Sequence, residues 1–131
     1  MVKGFFVAAI IVISAFGYIP NQDDSIKRGK EVYTANCLSC HMENGMGLEG
    51  SFPPLAKADY LMKDPKRAIG IILNGQTEEL KVNGKKYSAV MPPQNYLSDE
   101  QIADVINYTC NTWGNKTKVK ITPAMVKAAR K

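Results

Sequence analysis

Apolar positions along this chain fall into two regimes. Residues 4–19 form an almost unbroken apolar run, FFVAAIIVISAFGYI after Gly4, preceded by Lys3 and closed by Pro20-Asn21-Gln22-Asp23-Asp24. Beyond it the pattern becomes periodic. Ile26, Gly29, Val32 and Tyr33 recur three and four apart, which predicts a helix with N-cap candidates in Asp23-Asp24-Ser25. Asp64-Pro65 reads as a cap followed by proline at the first helical position. Ala68, Ile69, Ile71, Ile72 and Leu73 continue that helix, and Gly75 ends it. Ser98-Asp99-Glu100-Gln101 is a capping box opening a helix whose Ile102, Val105, Ile106, Thr109 and Trp113 share a face until Gly114. Between these two helices, Leu80 to Tyr87 surrounds Asn83-Gly84 in the pattern of a short β-hairpin. A weaker helix is expected over 56–62, and Thr122-Pro123 caps a last helical turn over 124–130.

With 131 residues, 45% hydrophobic and 22% charged, the chain has material for one small globular core. Residues 1–20 read as a signal peptide or an N-terminal membrane anchor. The apolar run is shorter than the roughly 20 residues of a spanning helix, and a lone lysine ahead of it suits a secretory leader. Ala15-Phe16-Gly17 is a loose cleavage site. Residues 21–115 are then the domain, exported to the periplasm or tethered to the inner membrane through 4–19. Residues 116–131 form a basic tail with a short helix, holding Lys116, Lys118, Lys120, Lys127, Arg130 and Lys131 and no acid. The tail accounts for the net charge of +5 and leaves the domain near neutral. It reads either as an attractor for an acidic partner or anionic lipid, or as a solvated terminus. The basic balance is a poor argument for nucleic-acid binding, since it is confined to this tail and no aromatic residue is interleaved with it for single-strand stacking, and no nucleic-acid partner is expected.

Three cysteines are too few for a disulfide scaffold and cannot all pair within one molecule. Two of them stand in Cys37-Leu38-Ser39-Cys40-His41, directly after the first helix. Thiols at this spacing can add to the two vinyl groups of one haem edge, and the next residue, His41, is then held under the iron as an axial ligand. Two other uses of the motif stand beside this one. A thioredoxin-like CxxC expects a βαβ context that the pattern lacks. A zinc site wants four ligands, and the third thiol, Cys110, lies far away in the last long helix.

Iron bound by His41 needs a group on its other face. Met42 and Met46 follow His41 too closely to pass around the ring, Met62 falls on an apolar helical face, and Met125 is in the tail. Met91, in Val90-Met91-Pro92-Pro93, sits in a loop that the following proline stiffens. Met91 is therefore the expected second ligand, with Met62 or an open position as the alternatives.

On these residues the chain resembles the class I c-type cytochromes over 25–131. It is most similar to the monohaem domains associated with quinoprotein dehydrogenases, copper nitrite reductases and haem–copper oxidases. The likeness is carried by Gly29 to Tyr33, CxxCH, Phe52-Pro53-Pro54-Leu55-Ala56, Val82 to Lys85 with Met91-Pro92, and Leu97 to Ala103 with Tyr108 and Trp113-Gly114-Asn115. The resemblance implies an all-α cytochrome c fold, helices packed around one covalent haem c, with the small hairpin before the Met-ligand loop. It implies that Gly29 lies under the capping-box helix near Tyr108, that the Pro53 carbonyl accepts the Nδ1 proton of His41, and that Leu55 packs on the haem. Cys110 departs from the usual pattern of that helix, and reads as an intermolecular disulfide partner or as a covered, inert thiol. The implied function is single-electron transfer between redox proteins, with no catalytic residue. A tethered subunit of a dehydrogenase, reductase or oxidase complex and a five-coordinate haem enzyme or gas-binding protein are its alternatives.

Overall fold

In the computed structural model, residues 21–130 are described, so the expected leader lies outside them. Helix α1 spans Gln22–Asn36, with Asn21 as its N-cap rather than Asp23, Asp24 or Ser25. The two aspartates occupy the first turn instead, where the helix dipole favours negative charge. Cys37 ends α1, and a further helical turn, α2 (Leu38–His41), carries the rest of the motif. The weak helix expected over 56–62 is α3, Asp59–Lys63. It starts late because Lys57 takes a left-handed backbone (φ 51°) and its N–H is captured by the Asn115 side chain at 2.7 Å. Helix α4 (Arg67–Asn74) also begins beyond its predicted start. Asp64 accepts from Arg67 N–H at 3.3 Å, but a tight turn over Pro65 and Lys66 precedes the helix proper.

Strands β1 (Leu80–Val82) and β2 (Lys85–Tyr87) pair antiparallel, Leu80 opposite Tyr87, around the Asn83-Gly84 turn. The capping box is present in full at the start of α5 (Asp99–Thr109). That helix stops at Thr109, short of Gly114. Thr109 and Asn111 side chains bond the carbonyls of Ile106 and Asn107, and the Asn115 amide takes the Thr109 carbonyl at 2.8 Å, so the last turn is satisfied locally. Helix α6 (Pro123–Ala129) is capped by Thr122 as expected.

The main packing is α1 across α5. At the crossing, a methyl on Gly29 would lie 2.0 Å from the Asp104 carbonyl oxygen and 2.7 Å from Tyr108 Cβ, so only glycine admits the approach. Tyr33, Tyr108 and Trp113 cluster beside it with centroids 5.1 to 5.5 Å apart, both tyrosines edge-to-face with Trp113 and tilted against each other. The buried Asp104 carboxylate accepts from Ser25 Oγ at 2.5 Å and from Arg28 Nε at 2.6 Å. Next to it, the Asn107 amide exchanges hydrogen bonds of 2.9 Å with the backbone of Ile121. The solvated terminus that the charge pattern allowed is therefore not what the chain forms beyond residue 115. Ile121 and Val126 are buried in the core, and Arg130 bonds Asp99 at 2.6 Å. The charges of this segment hid two apolar anchors spaced too far apart to register as a helical face. Among the described residues no helix is long and apolar enough to cross a membrane.

Candidate functional site

A predominantly apolar cavity of about 260 Å³ opens between α2, α4, the hairpin and α5. Cys37, Cys40, His41, Pro53, Leu55 and Met91 all line it. Of the described methionines only Met91 does so; Met62 packs against the hydrophobic core instead. Val82 and Tyr87 of the hairpin and Val105 and Ile106 of α5 complete much of the wall.

Backbone bonds fix the two facing sides. After α2 the chain turns back at Met42, where Tyr33 Oη donates to the Met42 carbonyl at 2.7 Å and Trp113 Nε1 to that of Glu43 at 3.0 Å. This return brings the Pro53 carbonyl to 3.0 Å from His41 Nδ1. A carbonyl can only accept, so Nδ1 carries the proton and Nε2 keeps its lone pair. Burial holds His41 below the usual imidazole range, against the opposing pull of the Pro53 carbonyl, and the ring is neutral at pH 7. Leu55 is fixed from behind by Asn115 Nδ2, 2.8 Å from its carbonyl. On the other side, Met91 and Gln76 exchange two backbone hydrogen bonds of 2.9 Å. Gly75, at φ 76°, leaves room for this bridge, since a methyl there would stand 2.5 Å from the Met91 carbonyl oxygen.

The thiol environment separates the readings of CxxC. Burial, with a smaller contribution from Cys40, pushes the Cys37 thiol up to about 11, opposite to the lowered value of a redox-active thiolate. For zinc, no group of three or more His, Cys, Asp or Glu among the described residues could hold a metal. Cys110 is buried at the end of α5 and does not line the cavity.

The sequence pattern of the family described as Cytochrome c matches residues 26–113. The chain belongs to the cytochrome c family. This cytochrome c chain is 42% identical over 96 residues to cytochrome c-552 of Thermus thermophilus, across 70% of the chain and 72% of that protein. It is 31% identical over 103 residues to the cytochrome c subunit of the quinone alcohol dehydrogenase of Gluconobacter oxydans. It is also 35% identical over 112 residues to the gluconate 2-dehydrogenase cytochrome c subunit of Pantoea cypripedii. These two alignments cover 78% and 83% of the chain but only 22% and 25% of the subunits. As a cytochrome c, the chain carries a covalently bound haem c with its iron and serves electron transfer. Its mostly helical architecture with one small hairpin is that of the family, as the sequence implied.

The cavity suits such a group beyond its apolar walls. Arg67 lines it, places its guanidinium carbon 3.7 Å from the Tyr60 ring centroid and donates Nη2–H to the Tyr60 carbonyl, yet its buried Nε has no partner. A spare cationic donor on an apolar wall fits the carboxylates of a haem. Sequence reasoning missed Arg67, which at the start of a helix reads as an ordinary solvated charge.

Proposed function

We propose that the chain is an exported single-electron carrier that holds its haem c through thioether bonds from Cys37 and Cys40, with His41 and Met91 as the axial ligands. When bound, the group supplies a one-electron Fe(II)/Fe(III) couple whose potential methionine ligation raises. The observation that carries the reading is that Met91, alone among the described methionines, shares one apolar cavity with Cys37, Cys40 and His41. The Pro53 carbonyl orients the His41 ring and strengthens it as a ligand. The Gln76 bridge and Pro92 hold the Met91 backbone in place, so a weak thioether can stay on in both oxidation states. Leu55, Val82, Tyr87 and Ile106 exclude water from the redox centre. No residue is assigned to making or breaking a substrate bond. Residues 4–19 are assigned to export towards the periplasm, and the partners are an electron donor and an acceptor protein.

A second reading draws on the relatives that are cytochrome c subunits of dehydrogenases. In it the same domain stays tethered through 4–19 as a component of a larger complex. The two are separated by intact mass and by partition after a high-salt membrane wash. A mass lacking the first 17 residues, as cleavage after Gly17 gives, in the soluble fraction supports the carrier, and a retained leader in the membrane fraction supports the subunit.

Ligation is tested in the holoprotein. The oxidised form should show the weak far-red sulfur-to-iron band, and Met91→Ala should lose it and lower the potential. Haem should survive acid-acetone extraction in the native protein but not after Cys37→Ala with Cys40→Ala. Loss of the band in Met62→Ala, with Met91→Ala unchanged, would overturn the assignment.

A further inference from the structure

Tyr96 stands 68% exposed in the turn between Met91 and α5, where packing gives its ring little to do. Its hydroxyl, however, is committed. It donates to Asn36 Oδ1 at 3.0 Å and is in hydrogen-bond contact with the side-chain amide of Gln94. Asn36 is the last residue of α1, next to Cys37, and its Nδ2 donates to the Val32 carbonyl at 2.9 Å. That bond turns Oδ1 towards Tyr96. A hydroxyl has one hydrogen, and both Asn36 Oδ1 and Gln94 Oε1 face it as acceptors, so the two bonds hold together once the Gln94 amide is turned to present its NH2 to the phenolic oxygen. Gln94 in turn donates its backbone N–H to the Ile72 carbonyl of α4 at 2.7 Å. Both Asn36 and Gln94 line the cavity, on segments that Tyr96 joins across 60 residues of sequence.

We infer that Tyr96 is a positioning residue that clasps the Met91 loop to the Cys37-bearing end of α1 and so sets how often that loop lifts from the cavity. The consequence for iron ligation rests on the reading of Met91 as an axial ligand. The clasp itself does not, because the backbone bridge between Met91 and Gln76 reports loop opening independently of the iron.

The test uses the oxidised holoprotein and its Tyr96→Phe variant, which removes the hydroxyl and keeps the ring. Losing the one hydrogen bond that joins the loop to α1, the bond to Asn36, should raise amide exchange at Met91 and Gln76 by between about twofold and tenfold, while Ile106 in α5 stays unchanged. Capture of cyanide should accelerate by the same factor. Asn36→Ala should reproduce the effect, and the double variant should add nothing to either alone. Unchanged exchange at Met91, an equal rise at Ile106, or additive effects in the double variant would overturn the clasp. Faster exchange at Met91 without faster cyanide capture would leave the clasp standing and remove Met91 as the ligand.

Discussion

An alanine at position 29 must find room where the Asp104 carbonyl oxygen already lies 2.0 Å from its methyl. The obstacle is backbone on a facing helix, so relief requires α1 and α5 to move apart. Helix propensity favours alanine over glycine by about 1 kcal/mol, which offsets only part of the overpacking. Gly29→Ala should therefore destabilise the holoprotein by about 2 kcal/mol, read as a lower midpoint in urea; an unchanged midpoint would mean the helices are not in contact as described. The contact at Gly29 was legible through the family resemblance, and the convergence of Cys37, Cys40, His41 and Met91 on one cavity through their residue types and spacing. Arg67 and Tyr96 were not. Their contacts, Arg67 with the cavity wall and Tyr96 with the end of α1, are made by the tertiary fold, and neither spacing nor composition encodes them.

Of the expected helix starts, those of α5 and α6 were read correctly, whereas α1, α3 and α4 begin elsewhere. Ser98 and Thr122 announce α5 and α6 through side-chain caps, a signal contained within four residues. The end of α5 depends instead on Asn115, which reaches back to Thr109 from beyond the helix. The early stop leaves Cys110 as the C-cap, only 1% exposed, its thiol pushed by burial up to about 11 against a smaller opposing hydrogen bond from Thr109. Of the two sequence readings of this cysteine, the geometry favours the inert one. Iodoacetamide at pH 8 should leave the native holoprotein unmodified, since thiolate is scarce and access is closed, and add one label after unfolding. A labelled native protein, or a disulfide-linked dimer, would contradict this.

Over the whole molecule, the segment after residue 115 closes the core rather than trailing from it. Ile121 and Val126 are 1% and 0% exposed, and burying two such side chains is worth about 3–6 kcal/mol. That is a large share of the roughly 5–15 kcal/mol by which small domains are stable. Removing residues 116–131 should thus lower the urea midpoint severely, whereas Lys116→Glu with Lys118→Glu should change stability by less than about 0.5 kcal/mol. Only the charge-reversal variant is suited to asking whether these lysines steer a partner, because it leaves the core whole. The same topology orders events in time. Ser25 and Asp104, which bond across the α1–α5 crossing, are 79 residues apart, so the crossing is closed by nearly the last long element to be synthesised. Closing so long a loop is entropically costly until α5 is available to pack. Until then the CxxCH turn belongs to an unfinished chain, with one side of its future enclosure still missing. Under the proposed attachment through Cys37 and Cys40, the cavity wall made by Val105 and Ile106 is completed only when α5 docks.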